Sequence, residues 1–235
     1  VPKSQALCQV LNRLFVELVM KCMKEEGPRH YFDVALIGYG GADHNPALAY
    51  VRPAFAGNLT GRDLVSIVEL ATNPLRVDEE QTPSGAVKTP VWVDPRANGC
   101  TPMCEALALA CKISTEWAAQ HPDSFPPIVI NISDGAATDG DPRVWSRRIQ
   151  SLATRDGNVL LFNLNVSALS ATPLFFPDGA GVLENDYARL LFEMSSHLPP
   201  YMASLAAGMG MSVDSGAKGF VYNADMSAVV RFLQI

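Results

Sequence analysis

Oxygen-bearing side chains crowd the end of an apolar run in residues 128–141, Ile-Val-Ile-Asn-Ile-Ser-Asp-Gly-Ala-Ala-Thr-Asp-Gly-Asp. Asp134, Thr138 and Asp139 could offer oxygen ligands to a hard cation, which takes carboxylate, hydroxyl and water in preference to nitrogen or sulfur. The same residues also suit turns and helix caps, the ordinary work of Asp and Thr. A further hydroxyl, Thr101 in Asn98-Gly99-Cys100-Thr101-Pro102, opens the helix before this strand, and Asp134 closes the strand. A right-handed crossover brings both to one sheet edge, where open α/β sheets bind ligands.

Other chemistry finds little support. Gly38-Tyr39-Gly40-Gly41 begins like a dinucleotide fingerprint, but Asp43 stands where a third glycine is needed and a hairpin is expected to follow. The chain has no Walker loop, Gly-x-Ser-x-Gly elbow or His-Glu-x-x-His pair. Its four histidines, His30, His44, His121 and His197, fall at expected helix ends or loops. The five cysteines include Cys100, Cys104 and Cys111 in one short stretch, with no Cys-x2-Cys pair to make a zinc pattern. Buried reduced thiols, and with them a reducing, cytoplasmic setting, are the expectation.

The elements that must position these groups are read from periodicity. Ile128, Val129, Ile130 and Ile132 are β-branched and nearly uninterrupted, as in a parallel strand covered on both faces. A first helix is predicted over 3–25, a strand over 31–39, and an antiparallel partner over 47–53. A short helix over 60–71 has Thr60 as its expected cap, and 72–98 is either a hairpin or an irregular loop. Thr101 as N-cap with Pro102 at the first position introduces the next helix. After the strand at 127–133 come a helix over 143–155 and a strand over 158–166. Helical stretches follow at 186–197 and 201–207, then a strand at 216–223 and a helix at 226–233 capped by Asp225. This alternation predicts an α/β fold, a Rossmann-like doubly wound and mostly parallel sheet with one antiparallel edge strand and helices on both faces, in a single domain over 1–235.

Composition narrows the partners. A net charge of −6 argues against non-specific binding to nucleic acid or anionic lipid, which needs clustered Lys and Arg. Hydrophobic residues at 48% with 18% charged supply a core, and no apolar run approaches the roughly 20 residues that span a bilayer.

Asn-Gly-Cys-Thr-Pro-Met-Cys-Glu-Ala-Leu at 98–107, followed by the motif at 128–141, resembles a von Willebrand factor type A domain of the bacterial intracellular kind. The resemblance implies a metal-ion-dependent adhesion site. In it Thr101 would bind Mg²⁺ (or Mn²⁺) directly, Asp134 would neutralise it, often through water, and a protein partner's acidic side chain would fill the open position. Gly40, Gly41, Asp43, Gly99, Gly135, Thr138 and Asp139 would form the surrounding rim. It also implies a first strand and Asp-x-Ser-x-Ser loop upstream of Val1, so that the site within residues 1–235 would be half built. The expected function is a non-enzymatic, metal-dependent interaction module. Two alternatives stay open: an interaction domain of the same fold without a working metal site, and a metal-dependent hydrolase using Asp134 and Asp139.

Overall fold

An amphipathic helix, α1 (Lys3–Cys22), begins the chain and ends before Gly27-Pro28, which cannot continue it. The structure is a computed structural model, and its described residues are 3–41, 49–82, 85–95, 99–166 and 172–235. The chain divides into two units, Val1–Cys100 and Thr101–Ile235.

In the first unit, β1 (Ile37–Gly41) pairs antiparallel with β2 (Ala49–Pro53), from Ile37 opposite Pro53 to Gly41 opposite Ala49. The expected partner strand is therefore present. Helix α2 (Ile67–Thr72) is shorter than predicted and starts later, because the cap is Ser66. Its hydroxyl accepts from Glu69 N at 3.1 Å while the Glu69 carboxylate accepts from Ser66 N at 3.0 Å, a reciprocal capping box. Within 72–98, β3 (Arg76–Thr82) pairs antiparallel with β4 (Gly85–Val91), as the hairpin alternative expects.

Phe15, Val19 and Cys22 of α1 pack with Phe55, Leu59, Val65, Ile67, Leu70, Trp92 and Val93. Buried Asn12 pins this core to the strand exit: its amide donates to Val93 O at 3.0 Å and its carbonyl accepts from Trp92 N at 2.8 Å.

The second unit runs through α3 (Met103–Gln120), β5 (Ile128–Ser133), α4 (Arg143–Ser151), β6 (Leu160–Val166), β7 (Leu174–Phe175), α5 (Asp186–Met194), α6 (Pro200–Gly208), β8 (Phe220–Ala224) and α7 (Met226–Leu233). Its sheet has the order β7-β8-β6-β5, with β8, β6 and β5 parallel and β7 antiparallel to β8. Met103, Leu107, Ile149, Leu161, Leu191 and Phe220 form its core on one face. On the other, Phe232 of α7 meets Phe162 edge-on at 5.8 Å between ring centroids.

The predicted Rossmann-like doubly wound sheet does not form. Among the described residues there are five two-stranded antiparallel sheets and a single four-stranded mixed one, so parallel pairing stops at three strands. The reason lies in residues 31–41. Asp33–Val34 makes only a two-residue ladder with Val65–Ser66, and three glycines in Ile37–Gly41 bring no side chains to cover two sheet faces. Pairing with nearby β2 closes a short loop instead of a long one.

Candidate functional site: the loop after β5

The Asp134–Pro142 loop is fastened to the start of α3 from both directions. Thr138 N donates to Thr101 O at 2.9 Å, and Thr101 N donates to Thr138 Oγ1 at 3.1 Å. The Thr101 hydroxyl lies 3.2 Å from the position a Cβ on Gly135 would occupy. A side chain at 135 would press on that oxygen, so glycine lets the loop close over Thr101. Thr101 and Gly135, the residue after Asp134, are thus neighbours beyond the carboxyl end of β5, and Asp134 is exposed there. Ala137, packed against the core, anchors the middle of the loop.

Two other acids of the loop serve helices. The expected N-cap Thr101 does not cap α3: Pro102 occupies that position with no side-chain bond. Asp139 does the work from outside, accepting from Cys104 N at 3.0 Å and Glu105 N at 2.9 Å. Asp141 accepts from Arg143 N at 3.0 Å at the start of α4, and this bond, with the Arg143 charge, holds its carboxyl below the usual range. Gly140, at φ +134°, turns the loop close to Cys104, 3.6 Å from Sγ for an added Cβ. Burial first, and then the Asp139 charge, push the Cys104 thiol up to about 11.

Ser133 and Tyr187 also belong to this site and were not singled out from the sequence. The Ser133 hydroxyl donates to Gly135 O at 2.9 Å and sets the turn after the strand. Tyr187, from α5, buries its hydroxyl beside Ser133. Burial pushes it up to about 12; the Ser133 hydroxyl pulls the other way and the Asp134 charge adds to the rise. Ser133 sits inside the quoted motif, whereas nothing local to Tyr187 ties it to residue 134.

The remaining rim residues lie in the first unit. Gly40 and Gly41 are buried in β1, and a Cβ on Gly41 would meet the Cys100 Cβ at 3.0 Å and Sγ at 3.3 Å. Close packing accounts for that glycine. Gly99 adopts φ +65°, a left-handed turn. Asp43 lies outside the described residues.

Comparison with known proteins finds no matching family model, no matching curated protein and no matching solved structure. The resemblance to the von Willebrand A family accordingly rests on residues 98–107 and 128–141. Among the described residues no group of three or more His, Cys, Asp and Glu could hold a metal ion. Thr101 and Asp134 together offer one hydroxyl and one carboxylate, and Mg²⁺, which keeps several waters, is the kind of ion that takes so few protein oxygens. No helix among the described residues is long and apolar enough to cross a membrane.

Proposed function

We propose that the loop after β5 is a low-affinity divalent-cation site through which the protein engages an acidic group on a partner protein. The observation that carries this reading is the approach of the Thr101 hydroxyl to Gly135, beside the exposed Asp134. Thr101 would supply a hydroxyl and Asp134 a negative carboxylate to Mg²⁺ or Mn²⁺. The bound ion would supply a positive charge whose waters an incoming carboxylate can replace. The clip between Thr101 and Thr138 holds the hydroxyl at the rim, and the Asp139 cap fixes α3 behind it. The two quoted motifs support the same reading, as do five unpaired cysteines for a reducing, cytoplasmic setting.

Calorimetric titration of the full chain with MgCl₂ tests it. Saturable binding that Asp134→Ala abolishes is expected; no heat, or binding unchanged by Asp134→Ala, contradicts it. A second reading, an interaction domain with no metal, draws on the use of Asp139 and Asp141 as helix caps. Partner capture undiminished by EDTA distinguishes it.

A further inference from the structure

Phenylalanine at 187 would bury the same ring as tyrosine, so the hydroxyl of Tyr187 needs a reason of its own. The ring packs against the core of the second unit, and the hydroxyl is buried beside Ser133. Burying a hydroxyl that makes no hydrogen bond costs about 1–3 kcal/mol, which phenylalanine would avoid.

The helix that carries Tyr187 is fixed at that end. Asn185 caps α5 by accepting from Ala188 N at 2.7 Å, and its amide donates to the Tyr222 hydroxyl of β8 at 3.3 Å. Ala188 and Leu191 of the same helix are fully buried. The first turn of α5 cannot shift without breaking these contacts, so the phenol is delivered to a set position.

Ser133 has one proton and two lone pairs to offer. The proton goes to Gly135 O at 2.9 Å, and one lone pair accepts from Gly135 N at 3.3 Å. The remaining lone pair can take only a donor, and the Tyr187 O–H beside it is one. With that bond made, every capacity of the Ser133 hydroxyl is filled and its oxygen is held against Gly135. Asp134 lies between the two residues so joined, and Gly135 is the residue that closes over the Thr101 hydroxyl.

We infer that the Tyr187 hydroxyl positions the divalent-cation site, donating to Ser133 and through it fixing the Ser133–Gly135 turn that sets the Asp134 carboxylate beside Thr101. The effect on binding rests on the cation reading above; the effect on the turn does not. Groups that hold a metal's ligands in place without touching the metal typically carry about tenfold to a hundredfold of its affinity.

Electron paramagnetic resonance titration of the full chain with Mn²⁺, joined to hydrogen exchange on the metal-free protein, tests it. Tyr187→Phe, which keeps the ring, is expected to weaken Mn²⁺ binding about tenfold. Ser133→Ala is expected to do the same, and the double variant to bind no more weakly than Ser133→Ala alone, because both changes break one path. A general loss of stability would not produce that non-additivity. Without metal, Tyr187→Phe should speed exchange at the Gly135 amide by more than at amides in the middle of α3, which report general opening. Wild-type affinity in Tyr187→Phe, or losses that add, overturns the inference and leaves the cation site standing. If the wild type takes up no Mn²⁺, the cation reading fails by itself and the Gly135 amide decides: selectively faster exchange in Tyr187→Phe upholds the turn-setting role, and an unchanged rate overturns it.

Discussion

Asp139 holds the start of α3 from 35 residues away, its carboxylate accepting from Cys104 N at 3.0 Å and, through its second oxygen, from Glu105 N. A helix whose own N-cap is proline has no side chain to satisfy its first donors, and a carboxylate brought in by the following loop replaces one. The cap and the candidate site therefore share a loop. Asp139→Ala is expected to cost about 1–2 kcal/mol in denaturant unfolding, the usual value of a lost cap. A change under 0.3 kcal/mol would show that the bonds contribute nothing net.

The Cys104 thiol, raised to about 11 by burial and by Asp139, gives an alkaline signature. The unfolded thiol loses its proton near 9.0, before the folded one does. Its contribution to stability is therefore complete below pH 9 and declines as pH rises toward about 11. Replacing Cys104 by Ala should flatten this part of the stability–pH curve. In Asp139→Ala the pH midpoint of Cys104 alkylation should move down, yet stay above the ordinary thiol value because burial is the larger cause.

Gly219 lies against Phe162: a Cβ on it would fall 1.9 Å from the ring edge. Gly219 also donates to Ser196 O at 2.9 Å and accepts from Asn163 N at 3.0 Å, so its backbone cannot retreat without breaking bonds beside β6. Gly219→Ala should destabilise the chain by about 1–3 kcal/mol or more, the range for overpacked cores, read as a lower thermal midpoint.

A buried polar chain runs beneath the site. Asn131 of β5 donates to Asn163 of β6 at 2.9 Å, Asn163 donates to the Ser195 hydroxyl at 3.0 Å, and Ser195 donates to Leu191 O at 2.8 Å. Asn163→Ala strips the Asn131 amide of its Asn163 acceptor and should cost about 1–3 kcal/mol in denaturant unfolding. Retained stability would mean that the network is dispensable.

What could be read from the sequence was what neighbours in the chain decide. Asp225 caps α7 as expected, accepting from Ala228 N at 2.7 Å, and the apolar run at 128–133 is a parallel strand whose carboxyl end meets Thr101's loop. Thr60 proved the wrong cap because the reciprocal Ser66–Glu69 pair, a local signal, is the stronger one. The extent of the sheet was misread, since periodicity marks a strand but not its partner, and Ile37–Gly41 pairs locally. Asp139 as a cap and Tyr187 as a neighbour of Ser133 depend on long-range closure, which spacing does not encode.

The central claim is that the Thr101 hydroxyl and the Asp134 carboxylate act together on one divalent ion. Electron paramagnetic resonance titration of Mn²⁺ into the full chain, wild type beside Thr101→Val and Asp134→Asn, measures this directly. The account predicts one saturable site, weakened at least about tenfold by either substitution, because each removes one of so few protein oxygens. Mn²⁺ that stays unbound, or binds equally well to all three proteins, would contradict it.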